Sequence, residues 1–313
     1  MEYCILGRTG LRVSVAGLGC GGPSRLGLKD NKTEKEASAL VRQALEIGVN
    51  FIDTAEAYGT ESIVGEALEG FPREQLVIST KKAPPSSDRS DPAGELRKAV
   101  EQSLRRLKTD YVDIFHLHGV EPGQYTNALE TLYPALEKMR AEGKIRFVGI
   151  TEAFVPDPDH CMLQQALKDN CWDVVMVGFN MLNQGARSAV FPGAIENNVG
   201  TLVMFAVRRA LSQTARLKEI WADLKQKGLI GPKWRDGDDP LEFLTHDRIA
   251  STIPEAAYRY CRHQPGVHVV LTGTGNPEHL KANIDSILKP PLPEPVLERI
   301  REIFGGLSCL TGN

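Results

Sequence analysis

Eight short apolar runs, separated by stretches with helical periodicity, constrain this 313-residue chain more than any other feature. The runs are Val15 to Gly19, Val49 to Asp53, Leu76 to Lys81, Val112 to Leu117, Phe147 to Ile150, Val174 to Val177, Leu202 to Phe205 and Val267 to Leu271. Between the first two, Ala37, Leu40, Val41, Ala44 and Leu45 fall on one helical face, and Gly48 supplies the stop. Leu96, Val100, Leu104 and Leu107 form a second such stripe; Leu132, Leu136 and Met139 form a third that ends at Gly143.

Strands that alternate with helices are joined by crossovers and therefore run parallel. Runs that are apolar on both faces are those of a sheet covered by helices. Eight such units predict an α/β fold, a (β/α)8 TIM barrel, with the whole chain, residues 1–313, as a single domain. A barrel of this type takes about 250 residues, so the surplus needs a place. GRTG at 7–10 predicts an N-terminal β-hairpin, Val296 to Phe304 an extra C-terminal helix, and the span from Phe205 to Val267 a long loop carrying its own helix, Leu211 to Lys227. A long loop after a barrel strand usually serves function.

Composition narrows the class. The chain is 42% hydrophobic and 25% charged with a net charge of −3, which fits a globular protein and offers no basic surface for nucleic acid. No apolar stretch approaches membrane length and the start lacks a signal-peptide pattern, so the expectation is a soluble, cytoplasmic protein without membrane partners. Six cysteines at 4, 20, 161, 171, 261 and 309 are scattered without a CxxC pair, which predicts reduced thiols and no metal site.

In barrels of this kind the C-terminal ends of the strands carry the chemistry. Here FIDTAEAYG delivers Asp53 at the end of one run and Tyr58 just past it, VISTK ends on Lys81, and DIFHLH carries His118. Alone, each reads more simply as a turn acid, a packing ring or half of a structural ion pair. At successive strand ends they form one constellation of acid, phenol, ammonium and imidazole. Lys82 beside Lys81, and His116 on the same strand face as His118, are the local alternatives.

FIDTAEAYGTESIVGEAL, VISTK and DYVDIFHLH, with YCILGRTGLRVSVAGLGCGG near the start and VVLTGTGNPEHLKANI near the end, resemble the aldo-keto reductase superfamily over nearly the whole chain. The resemblance implies that Asp53, Tyr58, Lys81 and His118 are the four catalytic residues of an oxidoreductase that reduces an aldehyde, ketone or sugar-derived carbonyl. Hydride on carbon must be matched by a proton on oxygen. A free phenol has a pKa of about 10, and an adjacent Lys81 ammonium lowers it, tuning Tyr58 as acid or base. Asp53 holds Lys81 charged, and His118 orients the carbonyl oxygen.

A nicotinamide cofactor follows from the same resemblance. GLGCGG at 17–22 lacks the spacing of a dinucleotide fingerprint, whereas TGTGNPEHLKAN at 272–283 follows the eighth run and opens a helix, where backbone amides hold phosphate. The resemblance places Cys20, Asp53, Thr151, Glu152, Met176, Phe205, Val207, Arg208, Gly273, Thr274, Gly275, His279 and Asn283 along the cofactor. Several depart from the family's habit. Thr151 and Glu152 stand where a Ser-Asn pair meets the carboxamide, Met176 replaces a Gln, Arg208 interrupts a Ser-Pro-Leu, and Ala282 replaces a Glu near adenine. Phe205 keeps the aromatic that stacks on nicotinamide. NADP(H) is expected on family habit, with NAD(H) as the alternative. His279, Arg208 and Arg209 are the candidate cations for a 2′-phosphate. The substrate pocket is expected from the loop Trp221 to Arg248, with Tyr125, Trp172 or Trp234 as walls. A cofactor-sensing regulatory member of the superfamily, or another barrel enzyme such as a lyase, are the competing readings.

Overall fold

The computed structural model describes residues 1–234, 236–237, 239–307 and 310–313. Cys309 and positions 235 and 238 of the long loop lie outside the described residues. All eight apolar runs form parallel strands that close on themselves. After a hairpin of β1 (Tyr3–Ile5) and β2 (Arg12–Ser14), the barrel strands are β3 (Ala16–Gly19), β4 (Phe51–Asp53), β5 (Val77–Lys82), β6 (Val112–Val120), β7 (Ile145–Glu152), β8 (Val174–Gly178), β9 (Gly200–Met204) and β10 (Val269–Thr272). They are ordered β10-β3-β4-β5-β6-β7-β8-β9 around the closed barrel, which is the (β/α)8 fold the alternation predicts.

Alternation along each strand sorts side chains into two cores. One lies inside: Phe51, Val77, Ile114, Val174, Met176, Leu202 and Val269 point inward and meet Leu6, Leu11 and Val13 of the hairpin, which plugs the N-terminal end of the barrel. The other lies between strands and helices and takes the alternate residues, among them Ile52, Ile78, Phe115, Leu117, Val148, Val175, Val203 and Val270. The helices begin where the sequence offers caps. Thr33 and Glu36 form a capping box on the helix Glu34–Glu46, and the Asp91 carboxylate caps Pro92–Leu107.

Three boundaries differ from the sequence reading in ways that reach the site. β6 runs on to Val120, so His118 lies within the strand, and the register shift past Leu117 falls where Gly119 adopts φ +65°. β7 extends to Glu152, and alternation therefore turns Thr151 inward and Glu152 outward. β9 ends at Met204, leaving Phe205 as the first residue beyond it at φ +67°.

The long span after β9 is more structured than a loop. It contains Arg209–Ser212, Thr214–Gln226 and Glu242–His246, and it clasps the C-terminal helix Glu294–Phe304: Trp221 meets Phe304 edge-on, and Arg299 lies over both Phe243 and Trp234. Tyr125 and Trp172, expected as pocket walls, belong instead to the outer core. The Trp172 indole N–H donates to the Tyr125 hydroxyl, which donates to Asp169.

The hairpin plug is a structural device separate from the chemistry. Leu6→Ala, which empties a fully buried site at the barrel floor, is expected to lower unfolding free energy by about 2–5 kcal/mol in a urea titration.

Candidate active site

β4 and β5 are hydrogen-bonded neighbours, and Asp53 pairs in register with Ser79. Asp53 is the next inward position after Phe51 on β4, and Lys81 is the second inward position after Val77 on β5, so their side chains converge inside the barrel near its C-terminal mouth. Lys81 Nζ lies 2.7 and 2.6 Å from the two Asp53 carboxylate oxygens and 2.8 Å from the Thr54 carbonyl. Ser79 Oγ donates to the same carboxylate at 2.8 Å. Both charged groups are almost wholly buried. Burial would strip the proton from Lys81, but Asp53 and Tyr58 more than offset it and the ammonium pKa is raised. Lys82, the neighbour on the strand, points the other way and pairs with Glu56 at 2.5 Å.

Tyr58 reaches the mouth from a short turn, Glu56–Tyr58, that follows β4. A hydroxyl bond between Thr54 and Thr60, 2.9 Å, closes the loop, and Thr60 also donates to the Cys20 carbonyl. The phenol packs so tightly on Gly21 that a Cβ there would lie 2.4 Å from the ring. Its oxygen is 3.4 Å from His118 Nε2, and its ring centre is 5.2 Å from Lys81 Nζ. Four residues from three strands and one turn thus meet at one place, as the sequence constellation predicts. Lys81 lowers the Tyr58 pKa as expected, but the net shift runs the other way. Burial raises the Tyr58 pKa, and the Lys81 charge only partly counters it. Tyr58 is therefore a protonated phenol at neutral pH, the form that gives a proton away.

His118 is kept neutral: burial and Lys81 push its pKa down to about 3. His116 lies one inward position deeper on β6, fully buried, against β7 where Gly149 leaves room; a Cβ on Gly149 would stand 2.2 Å from its Nδ1. It belongs to the barrel interior and His118 to the mouth.

The expected cofactor residues divide into groups. Cys20 is fully buried beside Asp53, and its amide donates to the Asp53 carbonyl at 2.8 Å. Thr151 faces inward and accepts the Gly119 amide at 2.6 Å. Met176 is part of the inner core. Glu152 is held in the wall: its carboxylate bonds His160 Nδ1 at 2.9 and 3.0 Å and accepts the Gly178 amide at 2.7 Å. Phe205 is half-buried with the Arg208 guanidinium 4.0 Å over its ring, and Arg208 has a buried nitrogen without a partner among the described residues. Val207 is half-buried between them.

Gly273, Thr274 and Gly275 form the turn between β10 and the helix Pro277–Ile287, capped by the Asn276 side chain. Here the backbone of a second segment comes close: a Cβ on Gly275 would lie 2.4 Å from Gly27 Cα. Asn283 is tied down to the Thr272 hydroxyl at 2.9 Å, while His279 is exposed. Sequence reasoning missed Lys32, whose Nζ donates to the Gly275 carbonyl at 2.6 Å. No local signal marks it, because only folding brings residue 32 to residue 275. The same holds for Phe154, which stacks on Phe205 with ring centres 5.9 Å apart. A groove of about 580 Å³ lined by Arg73, Leu76, Lys108 and Tyr111 opens below β5 and β6, at the barrel end opposite to this chemistry.

Two stability predictions follow from the electrostatics. Asp53→Asn leaves a buried ammonium without its counter-charge and is expected to cost about 3–5 kcal/mol by chemical denaturation. The folded-state pKa of His118 lies below its unfolded value, so its contribution is present above pH 6.5 and is lost as pH falls toward about 3. Unfolding free energies measured across that window should fall less steeply in His118→Gln than in the wild type.

Comparison with known proteins agrees with the fold. A model of the Aldo/keto reductase family matches residues 18–304. The uncharacterized oxidoreductase YqkF of Bacillus subtilis strain 168 is 28% identical over 290 residues, 90% of this chain and 89% of that protein. The L-galactose dehydrogenase of Arabidopsis thaliana is 39% identical over 157 residues, 48% of each chain. Among solved structures, the holo form of the aldo-keto reductase AKR11C1 from Bacillus halodurans superposes with a TM-score of 0.72 at 25% identity, covering 96% of both chains. With a family match across most of its length, this chain belongs to the aldo/keto reductase family.

Proposed function

We propose that the protein is an NAD(P)H-dependent oxidoreductase that reduces a small aldehyde, ketone or sugar-derived carbonyl to an alcohol. The observation that carries this reading is the buried Asp53–Lys81 pair set beneath a Tyr58 hydroxyl that lies 3.4 Å from His118 Nε2. A purely structural ion pair has no need of a phenol and a neutral imidazole converging above it.

Each residue has a task set by its surroundings. Tyr58, protonated at neutral pH, gives its proton to the carbonyl oxygen as negative charge develops there. The fixed positive charge of Lys81 stabilises the phenolate left behind, and Asp53 keeps that charge in place. His118, being neutral, holds the substrate oxygen by hydrogen bonding without competing for the proton. A bound reduced nicotinamide supplies the hydride.

The residues present fit such a cofactor. Lys32 stands at the turn Gly273 to Gly275, and the Arg208 nitrogen that has no partner among the described residues offers a further donor for phosphate. Lys32 supports NADP(H) over NAD(H), because it supplies a cation at the helix-capping turn where the sequence offers only His279.

Activity is tested by following NADPH and NADH oxidation with a panel of aldehydes and ketones, and the reverse reaction with hexoses, including L-galactose because one relative bears that name. Tyr58→Phe is expected to lower kcat by about 10²–10⁴-fold. Lys32→Met should raise KM for NADPH while leaving KM for NADH unchanged. Tight cofactor binding without turnover on any substrate would favour a regulatory role instead.

A further inference from the structure

The buried pair Glu152–His160 has no part in the proton chemistry, yet neither side chain exposes any surface. Burying a carboxyl and an imidazole is costly, and an aliphatic filling would serve packing alone better. What the pair does is fix the plane of a ring. His160 sits at φ +60° just before the helix Cys161–Asp169, and the bond to Glu152 leaves its imidazole stacked on Phe154, with centres 5.7 Å apart and planes 22° apart.

Phe154 carries that order to the mouth. Its ring covers the inward face of Gly178, the last residue of β8, where a Cβ would lie 2.4 Å away. It stacks in turn on Phe205, 5.9 Å between centres and 28° between planes, and Arg208 lies over Phe205. Imidazole, two phenyl rings and guanidinium therefore form one column running from the barrel wall into the mouth. Phe205 itself holds a left-handed backbone conformation that a bulky residue adopts only when its surroundings impose it. The Asn180 side chain, donating to the Phe205 carbonyl at 3.2 Å, and the Phe154 ring are among those surroundings.

We propose that Phe154, braced by Glu152 and His160, is a positioning residue that holds Phe205 in place, so that the free edge of its ring borders the nicotinamide end of the cofactor. This rests on the cofactor reading above. It also gives Glu152 a role: both oxygens are engaged by protein groups, so it serves the nicotinamide through the column and not by direct contact.

The test separates the two ends of the cofactor. Dissociation constants for NADPH and for its fragment lacking nicotinamide, 2′-phospho-ADP-ribose, are measured by calorimetry on the wild type, Phe154→Met, Phe154→Tyr and His160→Gln. His160→Gln keeps a donor for Glu152 and removes the ring, and it carries the test if Phe154→Met fails to fold. Loss of the ring at either position is expected to weaken NADPH about tenfold and leave the fragment within about twofold, while Phe154→Tyr stays near wild type. Equal weakening of NADPH and the fragment, or no change in either, would overturn the positioning role and leave the cofactor reading standing. A wild type that binds neither ligand would overturn both.

Discussion

The contact on which the site depends is the ion pair between Asp53 and Lys81, buried where β4 and β5 run side by side. A lone ammonium in that position would lose its proton and a lone carboxylate would gain one. Together, with Ser79 and the Thr54 carbonyl completing their hydrogen bonds, they hold a fixed positive charge in a place closed to water. Everything nearby responds to it: His118 is driven neutral, and Tyr58 is pulled toward ionisation against the larger effect of burial. The lysine bond to the Thr54 carbonyl also pins the start of the loop that carries Tyr58.

Strand alternation decides which groups join that centre. The inward series begins with Phe51, Val77 and Ile114 against the plug and continues to Asp53, Lys81 and His118 at the mouth, so one geometric rule makes the lower barrel oily and the upper barrel polar. Shift by one residue and the pattern inverts, as Lys82 and Glu152 show: each adjoins an inward residue, and each is bound by a partner outside the barrel. The departure from family habit at Glu152 on β7 follows this logic. Glu152 is not a poor substitute for an amide in the mouth; it is part of the wall, and the aromatic column it supports stands where polar contacts were expected.

Much of this was legible in the chain itself. Eight runs with helical stripes between them predicted the barrel, the GRTG turn predicted the hairpin, and the spacing of Asp53, Tyr58, Lys81 and His118 at strand ends picked out the four groups that the fold brings together. The pocket walls were not legible. Tyr125 and Trp172 read as candidates because aromatics near strand ends look alike in sequence, and only packing showed them bonded to each other in the outer core. Nor did the sign of the Tyr58 shift follow from its neighbours, since burial is a property of the whole fold.

The sequence by itself determined what is local and periodic: which stretches are strands and helices, that the strands are parallel, and which ionisable residues stand at their ends. Tertiary structure alone decided what depends on contacts between distant positions. It turned Glu152 into the wall, set Phe154 against Phe205, and brought Lys32 to Gly275 across 243 residues of chain. Periodicity registers how a residue relates to its near neighbours; it carries no record of which remote segment will fold against it.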